Sequence, residues 1–353
     1  MKNKLTFTSI SESNIDSFAG KISELHSASS GKRHSPAYWY WRYLKGPAGS
    51  GNLIIALNGG DVVGKYGLRY LPLIIRGRRI KAGFMEGLLV SPLERFWQCY
   101  RGLVERCNRE KQNNNLAFYL GMTHFRTLEL HKRLGVIDLG RVPVYWGFLD
   151  IPRILEGRSV PRPLSLLGYL GQAIIGLRVG VKKISYLNIR QVKNFDSSFD
   201  ELWENISKKY AIFVIRNAQY LNWRYIENPT EKYECLAAYS DGRLEGLVVF
   251  RIADCHNEGY VFELFAREDS KSVMRELLLQ AVKELKAKRI GYITVSFPAA
   301  SNAAHVLRSM GFKSWGTRLW SIHMIVSSGS RTSLLPDLEL RNWYFSLGDW
   351  LAS

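Results

Sequence analysis

A three-residue word occurs twice in this chain, and the spacing of its copies limits the folds available. Trp41-Arg42-Tyr43 returns as Trp223-Arg224-Tyr225 and Pro47 returns as Pro229, each 182 positions later. Without a gap the same offset carries Ala56 onto Ala238, Gly60 onto Gly242 and Gly64 onto Gly246. Self-similarity at a fixed offset marks repeated structural units. At 353 residues the chain has the length that two domains of ordinary size need.

The pattern inside each copy is the same. An apolar run (53–57; 235–239) meets a turn, Asn58-Gly59-Gly60-Asp61 or Ser240-Asp241-Gly242-Arg243, and a second apolar run follows. This reads as strand, tight turn, strand. Farther on, Glu86 stands inside the apolar run 84–90 and Glu263 inside the run 261–266. Helical spacing follows in both, through Phe96, Tyr100, Leu103, Val104 and Cys107, and through Val273, Leu277, Leu278, Ala281, Val282 and Leu285. Short strands are expected at 116–120 and 292–297, then helices at 128–134 and 303–310, stopped by Gly135 and Gly311. The expected fold class is α/β, two units with a mixed central sheet and helices on both faces. Their limits are 1–150 and 196–353, joined by a Pro- and Arg-containing connection, 151–195.

Composition narrows the partners. A formal net charge of +18 makes a field that attracts phosphates, acidic lipids and nucleotides. The cations stand in short scattered groups rather than in one arm, so no nucleic-acid module is legible. Cys99, Cys107, Cys235 and Cys255 show neither CxxC spacing nor a disulfide framework, and reduced thiols are expected. Residues 1–12 have no apolar run behind their lysines, so no cleaved signal peptide and a cytoplasmic address are expected. The longest apolar window, 164–177, is interrupted by Gly168, Gly171 and Gln172 and followed by Arg178, Lys182 and Lys183. It reads either as an interdomain helix or as a segment lying on an anionic membrane surface. No metal-ligand spacing, Walker loop, dinucleotide fingerprint, HExxH or Ser-His-Asp arrangement is present.

Taken together, the hairpin followed by 86–92 and its helix, the endings His131-Lys132-Arg133-Leu134-Gly135 and Leu307 to Phe312, and the tail 342–349 resemble the Gcn5-related N-acetyltransferase (GNAT) superfamily. The closer similarity is to tandem GNAT proteins associated with bacterial surface-polysaccharide biosynthesis. The resemblance spans nearly the whole chain. It implies acetyl-CoA or another acyl-CoA as co-substrate, no metal, and a small amine acceptor such as an amino sugar. In that family the end of the fourth strand, here Leu88, Leu89 and Val90, offers backbone groups to the pantetheine, and the next helix start holds the pyrophosphate. The family pattern there is a basic residue, two variable positions, glycine, any residue, then glycine or alanine. This chain reads Arg95-Phe96-Trp97-Gln98-Cys99-Tyr100 in one copy and Arg267-Glu268-Asp269-Ser270-Lys271-Ser272 in the other, so the small positions are lost in both. Arg95 and Arg101 remain as phosphate partners.

Transfer to an amine needs a base, a polarised carbonyl and an acid for the leaving thiolate. Glu86 is the candidate base, because it is a carboxylate set among apolar strand residues. His131 stands near the position of the family's tyrosine acid, whereas the second copy has Leu307 there. Glu263 repeats Glu86 and reads either as a structural echo or as the acceptor-side carboxylate of the second unit. The Trp-Arg-Tyr words read as packing residues. Two other functions stay open: an aminoacyl-tRNA-dependent transferase of Fem type, which also pairs GNAT units, and a non-catalytic binding protein.

Overall fold

The computed structural model describes residues 4–156, 167–176, 186–253, 257–314, 322–327 and 338–349. The first unit runs β1 (Thr6–Ile10), α1 (Ile15–Ser30), α2 (Pro36–Trp39), a π-turn (Tyr40–Leu44), β2 (Asn52–Asn58), β3 (Asp61–Ile75), β4 (Arg78–Val90), α3 (Phe96–Asn113), β5 (Tyr119–His124), α4 (Phe125–Lys132), β6 (Ile137–Val142) and β7 (Val144–Phe148). The second repeats this order as β8 (Asn188–Gln191), a helix Ser197–Ser207, β9 (Ile212–Val214), a short helix and π-turn (Asn222–Ile226), β10 (Glu234–Ser240), β11 (Arg243–Ile252), β12 (Glu258–Ala266), a helix Lys271–Ala287, β13 (Tyr292–Ser296), a helix Asn302–Ser309 and β14 (Ile322–Val326).

The matched sequence positions have matched geometry. Both hairpins close on two residues with positive φ, Gly59 (59°) with Gly60 (90°), and Asp241 (49°) with Gly242 (79°). That combination gives the turn whose twist suits paired strands. Each hairpin then carries a bulge at the same place, between Ala56 and Leu57 and between Ala238 and Tyr239. A Cβ on Gly64 would lie 2.6 Å from Cys99 Sγ, and one on Gly246 2.9 Å from Leu277 Cδ1. The glycines let the central helix of each unit settle onto its sheet.

The units differ from the sequence division at their last strands and at β9, which pairs with β3 of the first sheet. One sheet has the order β1-β2-β3-β4-β5-β14-β6 with β9 beside β3, and the other β7-β13-β12-β11-β10-β8. β7 therefore leaves the first unit to pair antiparallel with β13, through Trp146↔Thr294, and β14 leaves the second to pair with β5, through Met324↔Met122. A boundary at 150 divides the sequence but not the sheets. The exchange is reciprocal, and so is the contact between the repeated tryptophans. Trp41 Nε1 donates to the Trp223 carbonyl at 2.8 Å, Trp223 Nε1 donates to the Trp41 carbonyl at 3.2 Å, and the rings stack at 5.2 Å. The two words thus bind to each other as well as packing within their own units.

In the connection, Ile151–Glu156 and Leu167–Ile175 form a small helical pair, with Ile151 N donating to Gln172 Oε1 at 2.9 Å. Residues 164–166, Leu177, Arg178, Lys182 and Lys183 of the window considered for membrane contact lie outside the described residues, as do Cys255 and Gly316. Cys99, Cys107 and Cys235 are buried free thiols. Among the described residues, no helix is long and apolar enough to cross a membrane.

Candidate active site

The parallel pair β4–β5 is in register only at Gly83↔Tyr119, Phe84↔Leu120 and Met85↔Gly121. Two features drive the strands apart beyond that point. The β3–β4 register shifts between Lys65 and Gly67, and Gly87 takes φ +65°, a conformation that costs glycine little. From Glu86 to Val90 the β5 side of β4 has no strand partner among the described residues, and a notch opens between the two strands. At its inner end, on the α3 side of Met85, a cavity of about 50 Å³ is walled by residues that include Tyr66, Tyr100, Tyr119, Gly121, His131 and Ile325.

α3 begins at the mouth of this notch. Arg95 is its N-cap residue with extended backbone, and no side chain caps the helix. Free N–H groups and a guanidinium thus stand together where a helix start favours anions. Inside, Tyr100 Oη and His131 Nδ1 are 2.6 Å apart and tie α3 to α4 across the notch. Burial lowers the His131 pKa to about 4, so the ring is neutral near pH 7. Burial also raises the Tyr100 hydroxyl, which keeps its proton. With Tyr100 assigned as donor, the imidazole carries its own proton on Nε2.

In the second unit the gap between the corresponding strands is covered from the face that carries Glu263. β12 and β13 pair only as far as Val261↔Val295. Tyr344 of the C-terminal tail sits against both diverging ends, its ring 6.2 Å from Phe265 and 6.4 Å from Phe297. The helix start beyond carries Ser270 as a cap, its hydroxyl accepting from Val273 N, and Asp269 stands beside it. A diphosphate would meet a carboxylate and an occupied helix end there.

No family model and no curated protein matches the sequence. Solved structures do match. N-myristoyltransferase of Saccharomyces cerevisiae, solved with bound myristoyl-CoA, is similar over 92% of this chain and 82% of its own, with a TM-score of 0.66 at 12% identity. A probable N-acyltransferase from Enterococcus faecalis V583 gives 0.61 over 92% and 72% at 10% identity. A GCN5-related N-acetyltransferase from Kribbella flavida gives 0.56 over 92% and 71% at 14% identity. The chain has the tandem GNAT fold.

Within this GNAT frame the expected residues separate. Leu88, Leu89 and Val90 form the free end of β4, half-buried, while Arg95 and Arg101 are exposed at the start of α3. His131 lines the notch on the α3 face with Met85. Glu86 is the next residue along β4 and points to the opposite face, so the two candidate catalytic groups do not touch. Arg42 Nε binds Glu86 Oε1 at 2.9 Å and Arg69 Nη2 lies 3.5 Å from Oε2. Oε2 has no hydrogen-bond partner among the described residues. His131 differs from the proton-donating group its position suggested, because burial leaves it uncharged.

Glu263 is fully enclosed. Arg216 Nε reaches both its oxygens at 3.0 Å, Tyr225 and Tyr344 donate hydroxyls at 2.9 and 3.0 Å, and Ser346 Oγ donates at 2.8 Å. Gly348 fits because any Cβ there would lie 2.1 Å from Glu263 Oε1. No edge of this carboxylate is open to an acceptor. It holds the tail over the second notch.

Three residues that matter here carried a readable signal: Arg69 stands in the apolar run 66–75, Arg216 ends the apolar run 211–215, and Lys65 sits between Gly64 and Tyr66. A cation inside a strand pattern demands a partner. Lys65 Nζ donates to the Gly87 carbonyl at 2.9 Å and lies over the Trp39 ring at 5.2 Å. Burial and the charge of Arg42 push its ammonium down to about 7. Among the described residues there is no group of His, Cys, Asp and Glu that could hold a metal ion.

Proposed function

We propose that the chain is an acyl-CoA-dependent N-acyltransferase with one donor site, the notch of the first unit. The observation that carries this reading is the asymmetry between two copies of one architecture. The first notch is open with an uncapped, arginine-flanked helix at its mouth, and the second is covered by the chain's own tail. Acyl-CoA would supply the activated thioester. Arg95, with Arg101 behind it, and the free N–H groups of α3 would hold the diphosphate, and the β5-facing backbone edge of Leu88 to Val90 the pantetheine. The small cavity walled by Tyr66, Tyr100 and Tyr119 suits a short acyl group such as acetyl.

A thioester threaded between β4 and β5 would pass between the two faces that carry Glu86 and His131. On one face, Glu86 Oε2 keeps a lone pair free for the proton of the attacking ammonium while Arg42 fixes Oε1. On the other, His131 Nε2–H donates a hydrogen bond without giving up its proton. The departing thiolate, near pKa 8.5 as an ordinary thiol, takes its proton from solvent. The acceptor is a small amine, and the resemblance to surface-polysaccharide proteins favours an amino sugar. A cleft of about 590 Å³ between the units, lined by Glu12, Asp16, Tyr40, Trp41, Lys45 and Glu227, offers an ammonium acidic and aromatic surroundings.

A thermal-shift titration tests the donor. At a hundredfold excess over Kd, acetyl-CoA would stabilise the fold by about 2.7 kcal/mol, and Arg95→Glu would abolish the shift without changing the ligand-free melting point. Absence of a shift with every acyl-CoA from acetyl upward would refute the reading. Transfer that requires charged tRNA instead would replace the donor.

A further inference from the structure

The turn from β4 into α3 carries side chains that the fold does not ask for. Leu93 is 94% exposed, Phe96 38% and Trp97 40%. Phe96 and Trp97 rest against Tyr100, ring centroids 5.6 and 6.1 Å away, and keep their outer surfaces in solvent. Cations surround them. Arg95 lies in the turn, Arg101 follows along α3, and Arg133 reaches over from the end of α4 with its guanidinium 5.6 Å above the Trp97 ring. The acid in the turn, Glu94, accepts from Asn58 Nδ2 at 2.7 Å.

The repeat supplies its own control. The same turn in the second unit reads Arg267-Glu268-Asp269-Ser270-Lys271 and is polar throughout. There Asp269 accepts from Tyr210 Oη at 3.2 Å and from Asn302 Nδ2 at 2.7 Å. This chain therefore builds the strand-to-helix turn from polar residues when nothing else is required of it. Three large apolar side chains ringed by arginines, on a chain of net charge +18, complement a surface that is anionic outside and apolar beneath. Tryptophan and phenylalanine settle at the headgroup level of a bilayer, and arginines there meet lipid phosphates.

We propose that the β4–α3 turn docks this protein on an anionic lipid surface, with Leu93, Phe96 and Trp97 in the interface and Arg133 against the headgroups. This surface is distinct from the window 164–177 and does not depend on the identity of the acyl donor. It places the mouth of the notch next to the bilayer.

Co-sedimentation of the full chain with vesicles tests it, using phosphatidylcholine alone and phosphatidylcholine mixed with phosphatidylglycerol. Binding is expected to the mixed vesicles only, to weaken as salt is raised, and to fall about tenfold or more in Leu93→Asp/Trp97→Asp. Leu93→Asp alone, at a site that touches almost nothing, is expected to give a smaller loss and an unchanged melting point. Failure of the wild-type chain to bind the mixed vesicles at low salt would overturn the proposal, as would equal binding by the double variant. Light scattering that shows a dimer dissolved by Leu93→Asp would assign the patch to a second copy instead.

Discussion

Replacing Glu263 by Gln separates an acceptor-binding role from a role in holding the tail. Every contact of this carboxylate is an acceptor contact, with Arg216, Tyr225, Tyr344 and Ser346 all donating. Gln keeps the shape, removes the charge and turns an amide N–H₂ toward groups that are themselves donors. The hydroxyls of Tyr344 and Ser346 can rotate to accept, but the Arg216 guanidinium cannot, and it is left with Asp349 at 2.5 Å as its remaining carboxylate. Breaking one partner of a buried ion pair costs about 3–5 kcal/mol, and the retained hydrogen bonds put Gln at the lower end, about 3 kcal/mol. With an unfolding entropy of about 2.1 cal/mol/K per residue over 353 residues, the melting point falls by about 4 °C. Glu263→Ala, which also opens a cavity, falls further. Thermal unfolding followed by circular dichroism reads the shift, and amine KM measured below the melting point stays at the wild-type value. A Gln variant within about 1 kcal/mol of wild type and with a raised KM would show that Glu263 meets substrate and that the tail is held by other means.

The remaining predictions concern the tryptophan pair and the notch. Trp41→Ala is expected to cost about 3–5 kcal/mol, and Trp41→Ala/Trp223→Ala less than the sum of the single variants, because each ring's partner is already gone; additive losses in chemical denaturation would contradict the reciprocal stack. His131 has its pKa lowered in the folded state, to about 4, so the unfolded chain binds its proton first as pH falls. Its contribution is present above about pH 6.5 and is lost toward pH 4, up to about 3 kcal/mol. His131→Asn, which keeps an acceptor for Tyr100, should flatten the stability profile over that window, and an unchanged slope would refute the assignment.

The tandem architecture was legible because duplication writes itself twice. The turn pairs at 59–60 and 241–242 have a local conformational cause, whereas the glycines at 64 and 246 and the Trp-Arg-Tyr words answer to distant partners and were legible because both copies keep them at one offset. The exchange of β7 and β14 was not legible. Strand periodicity states that a segment pairs and says nothing about which sheet receives it, and the partners of Val144–Phe148 lie in β13, far along the chain. The candidate site was legible in part. Glu86 stood out as a carboxylate in an apolar run and His131 by its place near the family's tyrosine acid, yet their placement on opposite faces follows from strand alternation at Met85 and Glu86, which the spacing of single residues does not reveal. The sequence left Glu263 open between a structural echo of Glu86 and an acceptor-side carboxylate, because the partners that enclose it, Arg216 and the tail from Tyr344 to Asp349, arrive from distant positions.

Isothermal titration of acetyl-CoA into the full chain measures the central asymmetry directly. One site per chain is predicted, lost in Arg95→Glu and unaffected by Arg267→Glu in the second unit. Two equivalent sites, or a single site that survives Arg95→Glu and disappears with Arg267→Glu, would contradict it.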